Sequence, residues 1–184
     1  TGLLLQRLGI EHKLLISYQK FNEVKRQTEF VERLKSGQTI AVVTDAGSPG
    51  ISDPGERITQ AVLEAGLKVE SIPGPCAMVA ALSASGLPTD EFHFIGFLPH
   101  KSGQRKNCLE RAMGIPGTLI LYESPYRILK LLEELKEVCP DHQIVMAREL
   151  TKKFEEWFRG TAEELLTRLK DRAIKGEFVV LIRN

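Results

Sequence analysis

A chain of 184 residues is long enough for one sizeable core or two small ones, and with 25 basic against 24 acidic residues it carries no global field, so any nucleic-acid contact must come from local patches. Three cysteines, Cys76, Cys108 and Cys139, odd in number and far apart, give neither a metal spacing nor a disulfide framework. Apolar runs are too short for a membrane span or a secretory leader, so the composition reads as a soluble, cytoplasmic protein.

The chain opens on an apolar helical stripe over residues 2–8, stopped by Gly9, and with no initiator Met before it the sequence reads as starting inside a fold. Residues 13–18 (KLLISY) predict a strand, and residues 23–35 a helix that buries Val24, Phe30, Val31 and Leu34 on one face. Residues 40–43 (IAVV) have no polar alternation, which predicts a strand covered on both faces in a parallel sheet. Beyond it Gly47, Gly50 and Gly55 alternate with Pro49 and Pro54, a density that specifies a backbone path. Asp53 is placed to cap a helix over residues 54–65, with Pro54 in its first turn and Glu56 as the capping-box acid. In an open α/β sheet ligands settle beyond the carboxyl ends of strands, so this loop is a candidate site. Three glycines without a phosphate-loop lysine or a G-x-G-x-x-G spacing are equally the mark of a plain connector.

Residues 68–72 predict another strand, and Pro73-Gly74-Pro75 leads into a small-residue helix over 76–85 whose free N–H groups form a second cradle. Near residue 90 the rhythm restarts. An aromatic strand (92–97) is followed by a basic, flexible loop, HKSGQRK (100–106), and a helix over 107–113. Strands are predicted at 118–122, 143–147 and 178–182, with 154–159 pairing antiparallel. Ser124 and Pro125 start a helix ending near Val138, and Thr161-Ala162-Glu163-Glu164 is a capping box. The pattern amounts to two α/β domains, residues 1–89 and 90–184, the first with a mainly parallel sheet and the second with a mixed one.

Six blocks then stand in a telling order: TDAGSPGISDPG, PGPCAMVAALSASGLPTD, GFLPHKSGQR, YESPYR, ARELTK and KGEFVVLI. Together they resemble the rRNA ribose methyltransferases of the tetrapyrrole-methylase-like superfamily, over nearly the whole chain. The resemblance implies two α/β domains with S-adenosylmethionine in the cleft between them, usually in a homodimer. It also implies methyl transfer to the ribose 2′-oxygen of a cytidine in 16S rRNA, on free rRNA or the small ribosomal subunit. Carried over to this sequence, the cofactor contacts are Asp45, Ser48 and Ile51 in the first loop, Cys76 and Ala77 at the small-residue helix, and Tyr122, Ala147 and Glu177 in the second domain. Cys76 and Tyr126 stand where the family more often has Ser and His, and the family's opening strand and first glycine loop are not in this sequence.

A ribose hydroxyl is a weak nucleophile, so a group accepting its hydrogen bond assists the transfer. Glu123 and Glu149 are the candidates, each with an arginine neighbour, Arg127 or Arg148, that would make it structural instead. Asp45 either meets the ligand or holds its own loop through backbone N–H groups. For RNA phosphates the candidates are Lys101, Arg105, Lys106, Arg148 and Lys152, against the plain reading of a solvated helix entry. His93 and His100 have no metal-spaced partner, Cys108 reads as packed, and Phe154, Trp157 and Phe158 read as core or dimer surface. Three alternatives remain: a corrin or porphyrin methylase, against which the basic loop and Ser48 argue, a nucleotide-dependent oxidoreductase, which would need a fingerprint the sequence lacks, and a non-catalytic binding module.

Overall fold

The structure, a computed structural model, describes residues 1–11 and 13–184. Its chain divides into two compact units, Thr1–Cys76 and Ala77–Asn184.

The first unit holds α1 (Gly2–Arg7), α2 (Glu23–Lys35) and α3 (Glu56–Glu64). Phe30 of α2 meets Ile58 and Val62 of α3 in a small core edged by Ile16, Tyr18, Val31, Leu34, Ile40 and Leu67. Val24, expected on the buried face, is exposed. Helix α3 starts two residues later than predicted and is not capped by Asp53, because Gly55 occupies the N-cap position with no side-chain cap. A Cβ on Gly55 would lie 2.8 Å from the Gly50 amide nitrogen, so the chain folds back tightly there and keeps Pro54 in the loop. The strands predicted at 13–18, 40–43 and 68–72 form no ladder among the described residues, and neither does the first sheet they would have built. An apolar run supplies side chains, whereas a strand also requires a neighbour's N–H and C=O groups. Here Val43 is 58% exposed.

The second unit runs α4 (Ala77–Ser85), β1 (Phe92–Phe97), α5 (Ser102–Met113), β2 (Thr118–Glu123), α6 (Ile128–Val138), β3 (Ile144–Arg148), β4 (Glu156–Gly160), α7 (Ala162–Leu169) and β5 (Phe178–Arg183). Its five strands form one mixed sheet in the order β1-β2-β5-β3-β4. Alternation along each strand separates two apolar faces. Leu119, Leu121, Ile144, Met146, Phe178, Val180 and Ile182 face α5, α6 and α7, the larger core. Ile120, Val145, Ala147, Val179 and Leu181 face Ala81 and Leu82 of α4. Helix α4, which the sequence rhythm assigns to the first domain, thus packs on the second unit's sheet, and the compact units divide after Cys76, where the rhythm suggests a junction near residue 90.

Thr161 and Glu164 form the predicted capping box of α7. The register of β1 on β2 slips between Phe94 and Gly96, leaving Ile95 without a partner, and Gly96 has φ 63°. Helix α5 begins at Ser102, so most of the predicted flexible loop is helical. Helix α6 in turn begins at Ile128, after a turn in which the Ser124 carbonyl accepts the Arg127 and Ile128 amides.

Candidate functional site

Strand β5 is antiparallel to both β2 and β3, and β1 is parallel to β2. Strands β1, β2 and β3 therefore end at one edge of the sheet, where β4 and β5 begin. The registers draw a row across that edge, Phe97, Tyr122, Val179, Ala147 and Trp157, on the face that carries α4. The sequence candidates Tyr122 and Ala147 thus stand two strands apart, about 10 Å, on one side of the sheet. The row beyond holds Glu123, Phe178, Arg148 and Glu156 and turns to the other face.

Tyr122 is the hinge of the first row. Its ring lies edge-on to Phe94 and Phe97, at centroid distances of 4.8 and 5.7 Å. Its hydroxyl oxygen accepts the backbone N–H of Met78 at 3.1 Å, in the first turn of α4, beside Ala77. Removing that acceptor in Tyr122→Phe should lower stability by about 1 kcal/mol in chemical denaturation, the usual worth of one such bond. Ala147 is fully buried in the same cluster.

Glu123 belongs to the second row, so strand alternation puts its carboxylate away from Tyr122. It is 1% exposed, accepts the Ser124 N–H at 2.7 Å and lies 3.3 Å from Arg127. Arg127 also donates to the carbonyls of Leu98 and Pro99, tying the end of β1 to the end of β2. The Glu123–Arg127 pair is the structural alternative that the sequence offers, whereas the bonds to Leu98 and Pro99 have no signal in the local sequence.

Glu149 comes after β3 in the left-handed region, φ 49°. Its amide donates to the Glu177 carbonyl and its Oε1 accepts the Glu177 amide, both at 3.0 Å, while Lys152 Nζ adds a third bond at 2.9 Å. The bond from Lys152 and then that from the Glu177 amide hold the carboxyl below the usual carboxylate range. Glu149 and Glu177, candidates for different roles, are thus one unit, and no hydrogen bond is found on Glu149 Oε2 among the described residues.

The five predicted phosphate contacts separate. Arg105 is 3% exposed and forks onto Glu134 of α6, Nε to Oε2 at 2.5 Å and Nη2 to Oε1 at 2.6 Å, while its Nη1 donates to His100 O at 3.2 Å. It anchors the loop and is not offered to a phosphate. Lys106 pairs with Glu137, Arg148 with Glu156 and the Lys175 carbonyl, and Lys152 with Glu149 and Glu177. Lys101 is exposed and, among the described residues, has no ion pair.

In the first unit the loop over 44–55 is held by Thr44, whose hydroxyl meets the Ala46 and Gly47 carbonyls at 3.2 and 2.8 Å. Asp45 is exposed, and the loop-holding role considered for it falls to Thr44, a side-chain turn that the threonine itself signals. Ser48 Oγ donates to Pro75 O at 3.0 Å and lies 3.4 Å from where a Gly74 Cβ would be, so the two predicted cofactor loops touch. Ile51 is exposed and Cys76 half-buried. Burial pushes the Cys139 thiol up to about 11, which leaves it a packing residue. Among the described residues no cluster of His, Cys, Asp and Glu suits a metal ion, and no helix is long and apolar enough to cross a membrane.

The family profile described as Tetrapyrrole (Corrin/Porphyrin) Methylases matches residues 9–166. The chain is 42% identical over 182 residues, 99% of its length, to "Ribosomal RNA small subunit methyltransferase I" of Halalkalibacterium halodurans, of which it spans 63%. To the protein of that name from Hydrogenobaculum sp. it is 41% identical over 98% of its length, spanning 78% of the relative. Among solved structures, uroporphyrin-III C-methyl transferase from Thermus thermophilus, complexed with S-adenyl homocysteine, superposes with a TM-score of 0.62 at 18% identity, over 96% of this chain and 80% of that one.

Proposed function

The chain belongs to the tetrapyrrole (corrin/porphyrin) methylase family, and from that premise we propose that it acts as an S-adenosylmethionine-dependent methyltransferase on the ribose 2′-oxygen of a cytidine in 16S rRNA. One observation carries the reading: relatives named for small-subunit rRNA methylation match at more than twice the identity of the uroporphyrin-III enzyme. Its partner is then 16S rRNA or the small ribosomal subunit, its setting the cytoplasm, and its assembly a homodimer.

When bound, S-adenosylmethionine supplies an electrophilic methyl group on a sulfonium. The groups we assign to it are Asp45, Ser48, Ile51 and Cys76 in the first unit, and Ala77, Tyr122, Ala147 and Glu177 in the second. What supports the assignment is local to each unit: Ser48 ties the first loop to the 73–76 loop, and Tyr122 steadies the first turn of α4. Holding two reactants in line is the larger part of such catalysis. Of the two carboxylates, Glu149 suits the ribose hydroxyl, because its Oε2 is unengaged and its lowered pKa keeps it an acceptor at neutral pH. Glu123 is buried on the opposite face and acts through Arg127.

Incubating the protein with methyl-labelled S-adenosylmethionine and either small ribosomal subunits or uroporphyrinogen separates the readings. Label mapped to a ribose 2′-oxygen supports ours, and label in the tetrapyrrole alone ends it. Glu149→Gln should lower kcat about tenfold, the worth of one charged hydrogen bond, with cofactor affinity unchanged by calorimetry. An unchanged kcat would remove Glu149 from the reaction.

A further inference from the structure

The connection between β3 and β4, residues 149–155, projects from the same sheet edge as the candidate site. Its tip carries Lys153 and Phe154, and Phe154 is 65% exposed. The Lys153 ammonium lies 5.5 Å from the ring centroid. An exposed aromatic on a loose loop would mean little. This turn is built.

Two non-glycine residues in it have left-handed backbones, Glu149 at φ 49° and Thr151 at φ 66°, and such residues persist only where their surroundings over-determine them. The Lys152 amide donates to the Glu149 carbonyl at 2.9 Å and the Glu155 amide to the Lys152 carbonyl at 3.1 Å. The Glu155 carboxylate accepts the Thr151 amide at 2.6 Å and the Trp157 indole N–H at 2.9 Å. Glu149, through Glu177, fixes the root of the turn to the start of β5. The acids of the turn are therefore occupied in holding it, and Lys152 is neutralised by Glu149 and Glu177. Among the described residues Lys153, and Lys175 across the edge, form no ion pair. What the turn offers to solvent is an apolar ring with positive charge beside it.

We propose that Lys153 and Phe154 form a single-stranded RNA contact, Phe154 stacking on a nucleobase and Lys153 meeting an adjoining phosphate. The inference rests on the rRNA reading and adds where the strand lies: across the β3–β4 side of the edge on its way to Glu149. Aromatic faces that accept any base, paired with a nearby cation, are how proteins hold unpaired nucleic acid.

The test is fluorescence anisotropy with a short fluorescein-labelled single-stranded RNA, on proteins matched for thermal melting and for S-adenosylmethionine affinity. Phe154→Ala should weaken binding about tenfold, as the loss of one base–aromatic stack does, and Phe154→Trp should restore it. Lys153→Ala should reduce the slope of log affinity against log salt by roughly 0.7, one phosphate contact on a single strand. If the parent protein binds no RNA and methylates none, the rRNA reading itself falls. If it binds and Phe154→Ala binds equally well, only the Phe154 contact falls. Equal binding by Phe154→Leu would show an apolar contact without stacking and also overturns it. So would a Phe154→Ala protein whose RNA affinity holds while its self-association in sedimentation changes, since the tip would then face a second copy.

Discussion

Arg105→Ala should destabilise the second unit by about 3–5 kcal/mol in chemical denaturation, because it strands the Glu134 carboxylate in a site where both groups are buried. The guanidinium makes two parallel bonds to that carboxylate and further bonds to the Pro99 and His100 carbonyls, while Ser102 Oγ adds another to Glu134 at 3.0 Å. Lysine cannot reproduce a planar fork, so Arg105→Lys should recover little. A double change of Arg105 to Met and Glu134 to Leu removes both charges and should come close to the parent stability. For Glu134, burial pushes the carboxyl up, but the bonds from Arg105 and Ser102 outweigh it and leave the group below the usual carboxylate range. A depressed carboxylate pKa contributes stability that is complete above the unfolded-state pKa and disappears as pH falls through the folded one. Denaturation midpoints followed downward from neutral pH should therefore fall below about pH 4.5 in the parent and much less in the double variant.

Gly176→Val should cost about 3 kcal/mol and disable the candidate site together with the fold around it. Gly176 has φ 85°, a conformation in which a β-branched residue is strained. A Cβ there would also sit 2.7 Å from Glu149 Cδ and 2.8 Å from its Oε1, the oxygen that accepts the Glu177 amide and Lys152. Relief requires Glu149 to move, which releases the root of the 149–155 turn. Denaturation measures the first loss, and RNA affinity measures the second. A variant as stable and as active as the parent would show that Glu149 does not need its present position.

Much of the second unit is legible in the sequence because its signals are local. The Thr161 box, the aromatic strand at Phe92–Phe97 and the apolar strands at its centre carry their instructions within a few residues. The first unit's strands mislead for the converse reason: IAVV has the side chains of a buried strand, and whether it is one depends on a partner its own sequence does not contain. Arg105 in KSGQRK looks like a surface cation, because nothing nearby announces Glu134 on another helix. The bond between Glu149 and the Glu177 amide is equally remote in sequence. The opposite orientation of Tyr122 and Glu123 is available from strand alternation alone, and it puts the two candidates on different faces of the sheet. Thr44, too, is readable as a side-chain turn.

The slip in the β1 register also governs how this sheet meets other chains. The outer strand FHFIGF has no charge and much aromatic surface, with Phe92 44% and Phe97 55% exposed, the composition of a segment that recruits further strands into a fibril. Ile95, left over in the ladder, and the left-handed Gly96 bend that strand, so its free N–H and C=O groups do not form a straight template. At the opposite border β4 relies on charge, with Glu156 held by Arg148 and Arg172, and Arg159 stacked 5.1 Å from Trp157. One sheet thus guards its two borders by different means, and the unguarded alternative at β1, a regular strand with valine in place of Gly96, would be a seed for aggregation.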